Sequence, residues 1–154
     1  METDAGPQAL SSRMATAGLT DDMSFLLARA NALSISAGNA AMAPHGLKVR
    51  SYSVLALAVS EARPSQRELA EVLRLDPSQV VALVDDLQAR GLVIREPDPA
   101  DRRANVVTAT AAGRTLFAAA ESSARAAERR LHESLTEEER ELLIVLLRRL
   151  AFLP

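Results

Sequence analysis

Apolar residues recur along the chain mostly at helical spacing, and prolines and glycines divide the pattern into segments. From Asp21 through Phe25, Leu26, Ala30 and Leu33 to Ala41 the pattern predicts a long first helix, stopped by Pro44 and Gly46. A second helix is predicted over roughly Ser51 to Glu61, ending before Pro64. Ser65-Gln66-Arg67-Glu68 has capping-box spacing, in which Ser and Glu each satisfy an exposed backbone N–H, and Leu69, Val72 and Leu73 give this third helix an apolar face. Asp76-Pro77-Ser78-Gln79 opens a fourth: Asp76 caps, Pro77 stands where no N–H is needed, and Gln79 completes a second box. Val80, Leu83, Val84 and Leu87 then form one buried stripe, and Gly91 ends the helix. Two capped helices joined by a tight turn outline a helix-turn-helix.

The next segment changes character. Leu92-Val93-Ile94 and Asn105-Val106-Val107-Thr108 favour strand, and Arg95 to Ala104 between them is predicted as a loop, broken by two prolines and tipped with Arg102 and Arg103. Two strands and a basic loop directly after a helix-turn-helix make a wing. A fifth helix is expected from near Thr110 to about Ser134. Thr136 to Glu139 is a third capping box, opening a sixth helix with Leu142, Leu143, Val145, Leu146, Leu147 and Leu150. Residues 1–20 show no periodic apolar face and are expected to be a flexible tail. The expected fold is mainly α with a small β-wing. Its winged helix-turn-helix spans 46–108, and a helical dimerisation lobe is drawn from 21–45 and 109–154.

Composition narrows the function. The 154 residues hold no cysteine, which excludes thiolate metal sites and thiol redox sensing, and the scarcity of aromatics (3%) makes the core aliphatic. Neither a signal peptide nor an apolar run of membrane-spanning length is visible, so a cytoplasmic protein is expected. The net charge is −2, and between Arg63 and Arg103 seven basic residues face eight acidic ones. Binding to nucleic acid must therefore come from where charges sit. His45 and His132 lie in different elements, and no spacing suggests a nucleophile, metal cage or phosphate loop, so neither catalysis nor a cofactor is expected.

The segments HGLKVRSYSVL, SQRELAEVLRLDPSQVVALVDDLQARGLVIREPDPADRRANVVTATAAGRTLF and LTEEERELLIVLLRRL, taken in order, resemble the MarR family of bacterial regulators. The wing segment DPADRRA, with Thr110 and Gly113 beyond it, is the most specific element. The resemblance implies a homodimer with intertwined N- and C-terminal helices, each subunit presenting its winged helix-turn-helix to half of a palindromic operator. It also implies repression that a small, often aromatic or phenolic, effector relieves.

On that plan the first residues of the fourth helix read base edges. Ser78 and Gln79 are the direct-readout candidates, with Val81 and Ala82 placed to touch thymine methyls, although Ser78 and Gln79 also suit pure capping. Arg102 and Arg103 are candidates for the minor groove, with Asp101 shaping the tip. Lys48, Arg50, Ser65, Gln66 and Arg74 lie near phosphate-facing turns. The family often carries Arg or Lys near Ala82 and Asp86, and this chain does not. Asp85 is expected to hold a wing arginine by an ion pair, whereas Asp86 would repel phosphate unless it faces away. That shifts the burden of recognition to the wing and to DNA shape. His45 and Tyr52 flank the junction where the family places effectors. The rival reading is a winged-helix module that binds protein instead of specific DNA.

Overall fold

Where the sequence carries a cap, a helix begins. The computed structural model describes residues 18–101 and 103–152, so residues 1–17 of the expected tail, Arg102 and the last two residues lie outside it. A 3₁₀ turn at Leu19–Asp21 leads into α1 (Met23–Met42), whose start is capped by the Asp22 carboxylate accepting from Phe25 N–H at 2.7 Å. A second 3₁₀ turn, Ala43–His45, ends in Gly46 at φ 64°, a left-handed conformation that glycine adopts without strain. α2 spans Val49–Val59, α3 Gln66–Leu73, α4 Pro77–Ala89, α5 Ala111–Leu131 and α6 Glu137–Ala151. All three predicted capping boxes are formed, by Ser65 with Glu68, Asp76 with Gln79, and Thr136 with Glu139. Thr110 caps α5 by accepting from Gly113 N–H at 3.1 Å.

Several boundaries differ from expectation, among them the end of α5, at Leu131 and not near Ser134. α2 starts two residues early because Asn39, ten residues upstream, accepts from Val49 N–H at 2.9 Å and serves as a remote cap. It ends at Val59, where the Ser60 hydroxyl turns back to donate to Leu57 O. The first wing strand, β1, runs Val93–Pro97 and takes in Arg95 and Glu96, which had been assigned to the loop. It pairs antiparallel with β2 (Asn105–Ala109), with Arg95 opposite Val107 and Glu96 opposite Val106. On its far side β2 meets the α2–α3 linker, where Val107 N–H donates to Pro64 O at 2.8 Å. The wing is thus stitched to the entry of the helix-turn-helix.

The chain divides into two compact units, one ending at Ile35 and the other starting at Ser36. In the second, Leu55, Leu69, Val80, Val84, Leu87, Val93 and Val107 are fully buried and join α2, α3, α4 and the wing in one aliphatic core. The fourth-helix stripe predicted from spacing faces this core, with Leu83 half-buried at its margin. Among the described residues no buried side-chain nitrogen or oxygen lacks a partner. Two elements are unlike the rest. Every residue of α6 except Arg140 is exposed, including Leu142 (59%), Val145 and Leu150, and Phe152 just beyond it is 74% exposed. In the first unit, Met23, Leu26, Leu27, Leu33 and Ile35 of α1 are exposed as well. No helix among the described residues is long and apolar enough to cross a membrane.

Candidate nucleic-acid interface

The exposed face of α4 carries Ser78, Val81, Ala82 and Asp85, opposite the buried Val80, Val84 and Leu87. At the start of the helix both polar candidates are engaged in its cap. Gln79 Oε1 accepts from Asp76 N–H at 3.3 Å, and the Ser78 hydroxyl donates to Asp76 Oδ1 at 2.5 Å. That hydroxyl, and the Ser78 N–H donating to the same oxygen, hold the Asp76 carboxyl below the usual carboxylate range.

The two aspartates at the middle of α4 go separate ways. Asp85 Oδ1 accepts from Arg95 Nη2 at 2.6 Å, an ion pair between α4 and strand β1. Asp86 points to the other flank, where Arg90 Nη1 reaches it at 3.4 Å while donating to Gly46 O at 3.0 Å. Asp86 lines a groove with Leu47, Lys48 and Ser51, away from the Asp85 side.

The sequence pattern does not single out Arg95, because Pro97 and Pro99 make its segment look like loop. Its guanidinium also donates from Nε to Gln66 Oε1 at 2.6 Å and from Nη1 to Gln88 Oε1 at 2.8 Å. Strand alternation is the signal that would have found it, since Val93 and Arg95 share one face and Ile94 and Glu96 the other. Glu96 in turn accepts from Arg63 Nη2 at 2.7 Å and from the buried Thr108 hydroxyl at 2.9 Å. The base of the wing is therefore clamped from both faces.

The wing tip is built by carboxylates accepting from backbone. Asp101 Oδ1 accepts from Arg103 N–H at 3.0 Å, and Asp98 Oδ1 from Ala100 N–H at 2.8 Å. Arg103 is exposed and forms no ion pair with the described residues; Arg102 lies outside them. Of the phosphate candidates, Lys48, Arg50 and Arg74 are exposed. Ser65 is half-buried in its capping box, where its N–H and hydroxyl both donate to Glu68 Oε2 at 2.7 Å and lower that carboxyl's pKa.

The two effector candidates lie beyond the groove. His45 Nε2 is 2.9 Å from the Ser123 hydroxyl of α5, and the Tyr52 ring stacks on Phe117 at 5.6 Å. Partial burial, reinforced by the Glu121 charge, pushes the Tyr52 hydroxyl pKa up, so it stays a neutral donor. One helical turn along α5, Ala127, Arg130 and Leu131 face Ala37, Ala40 and Ala41 across a cavity of about 420 Å³. Its lining is apolar apart from one guanidinium.

Known proteins share this fold. The MarR family model matches residues 45–104. CouR from Rhodococcus jostii RHA1, solved bound to p-coumaroyl-CoA, is 43% identical, with a TM-score of 0.82 over 88% of this chain and 96% of that one. A transcriptional repressor CouR bound to a 23-mer DNA duplex is 31% identical, with a TM-score of 0.77 over 87% and 95% of the two chains. An HTH-type transcriptional repressor of Mycobacterium tuberculosis is 31% identical over 121 residues, which are 77% of this chain and 87% of that protein. The match to a putative regulator of the hcr operon in Thauera aromatica, also 31% identical, spans 64% of this chain and 60% of that longer protein.

Proposed function

The chain belongs to the MarR family of winged helix-turn-helix DNA-binding transcriptional regulators and is not an enzyme, and from that premise we propose that it represses a promoter as a cytoplasmic homodimer until an aromatic acyl effector releases it. The observation that carries this reading is the likeness to CouR along nearly its whole length, in chains solved with DNA and with an aromatic CoA thioester.

The geometry supports each part. Ser78, Gln79, Val81 and Ala82 stand where the recognition helix meets base edges, and the exposed Arg103, with Arg102 beside it in sequence, belongs to the minor groove. Lys48, Arg50, Arg74, Ser65 and Gln66 fix register on phosphates. Asp86 shares its groove with Lys48 and is partnered there by Arg90, which offsets its charge on that flank. The exposed apolar rows of α1 and α6 are the surfaces of a two-fold dimer, which suits a palindromic operator. Tyr52 and Phe117 offer an aromatic platform and His45 a polar partner, and farther along α5 lies an apolar cavity wide enough for a substituted ring.

Fluorescence anisotropy on duplex from the chain's own promoter region, across a salt series, tests this reading. We expect selective, salt-sensitive binding that Arg102→Ala/Arg103→Ala weakens and that p-coumaroyl-CoA abolishes. Salt-insensitive or unselective binding by the folded dimer would favour a winged-helix module that docks on protein.

A further inference from the structure

The helix-turn-helix and wing meet a polyanion with almost no net charge of their own, and the exposed face of α4 carries no cation. What gathers beside that face is one arginine with three acceptors. Arg95, from the wing, donates to Gln66 at the first turn of α3, and to Gln88 and Asp85 on α4.

A guanidinium has five N–H donors and no acceptor. A glutamine amide that meets it must therefore present its oxygen, which leaves the NH₂ free to donate elsewhere. Gln66 and Gln88 both do so, from two different helices, through bonds of 2.6 and 2.8 Å. The Asp85 charge is spent on the same guanidinium, whose side chain is only 25% exposed. The cluster thereby pairs the Asp85 charge and leaves two amide NH₂ groups that the guanidinium does not engage.

We propose that Arg95 is a positioning residue for DNA binding: it fixes the amide orientation of Gln66 and Gln88, so that their NH₂ groups donate to backbone phosphates across the seam between α3, α4 and the wing. The proposal rests on the DNA-binding reading and adds to it residues that act through amide polarity. Glutamine is among the side chains that bond phosphate oxygens, and such contacts are independent of base sequence. The role is therefore visible on any duplex, which separates it from failure to find the operator.

The test is a double-mutant cycle with Arg95→Met and Gln66→Met, in an Asp85→Asn background so that no carboxylate is unmasked, measured by anisotropy on a promoter duplex and on an unrelated duplex of equal length, over a salt series. Each single variant is expected to bind both duplexes roughly fivefold or more weakly, with the double variant no weaker than the worse single one. The salt slope of Arg95→Met should stay near that of the wild type, because no phosphate-bound cation is lost. Gln66→Glu supplies a variant with an intact anchor. It keeps an oxygen for Arg95, loses the NH₂ and adds a negative charge, so it should melt like the wild type and bind both duplexes more weakly than Gln66→Met. Additive losses with a salt slope reduced by about 0.9 would overturn the proposal, since Arg95 would then touch a phosphate itself. Wild-type affinity in either Gln66 variant would overturn it too.

Discussion

Arg90, the residue that closes α4, donates to the carbonyl of Gly46 at 3.0 Å, and so ties the end of the recognition helix to the turn that carries His45. His45 is in turn bonded to Ser123 of α5. On the proposed effector reading, a ligand that engaged His45 in place of Ser123 would pull on a turn whose carbonyl holds α4. Arg90→Ala is expected to bind promoter DNA and p-coumaroyl-CoA each within about threefold of the wild type. The weakening of DNA binding by that ligand should fall at least fivefold, the lower end of ordinary allosteric couplings. Anisotropy titrations with and without p-coumaroyl-CoA measure this. Equal release in both proteins would remove Arg90 from the route.

Gly113 shows how closely α5 is set against the wing. A Cβ at this position would collide with the backbone carbonyl of Leu92, which also accepts from Thr110 N–H at 3.0 Å. Backbone cannot swing aside as a side chain does, so Gly113→Ala is expected to cost about 3 kcal/mol, the upper end for overpacking. A lowered urea midpoint at fixed protein concentration, with an unchanged slope, would show it.

The caps of the helix-turn-helix should weaken in acid. Glu68 is held below its ordinary value of 4.5 by the Ser65 N–H and hydroxyl, and Asp76 below 3.8 by the Ser78 hydroxyl and N–H. A folded-state pKa below the unfolded one contributes stability above the unfolded value, and that stability is lost as pH falls through the folded value. Glu68→Gln keeps an acceptor for Ser65 without a titrating proton. The stability difference between wild type and Glu68→Gln should therefore be constant at neutral pH and shrink as pH drops below about 4.5. Thermal melts from pH 7 to pH 3 measure it, and a difference that stays flat would refute the assignment.

Leu146 on α6 is 44% exposed and shares its face with Leu142. Substitution there removes little packing within one chain, so its effect reports a second chain. Leu146→Glu is expected to weaken self-association at least tenfold, since a charge buried in an apolar interface is costly without a partner. Light scattering coupled to size-exclusion chromatography reads this directly. An unchanged dimer would place the interface elsewhere.

Most of the scaffold was legible because its signals are local. Three capping boxes, the α4 stripe and the antiparallel wing each announce themselves within a few residues, and all are formed. What escaped depends on residues distant in sequence. The start of α2 is set by Asn39 from the preceding helix, and no reading of Lys48 or Val49 alone reveals it. Arg95 looked like loop because prolines follow it, yet its partners Gln66, Asp85 and Gln88 lie 29, 10 and 7 residues away. The expectation that Asp85 would hold a wing arginine came from its position on α4, and the arginine it meets belongs to the wing's base, before the tip. Asp86 turns to the groove that also holds Lys48, and its ion pair with Arg90 four residues on is the only part of that arrangement that local spacing shows.

The cap at the start of α4 has a thermodynamic corollary. On the proposed reading, the Ser78 hydroxyl proton and the Gln79 amide oxygen already have partners in the free protein. A bond donated by Ser78, or a two-point contact of Gln79 with adenine, therefore gains only the difference between the new bond and the old one, while the Gln79 NH₂ is free to donate without cost. A matched operator offers several such exchanges at once, whereas a mismatched one asks the helix to fray at its first turn for nothing in return. The same few residues that start the helix thereby set a threshold on reading, and the threshold falls hardest on sequences that fit only in part.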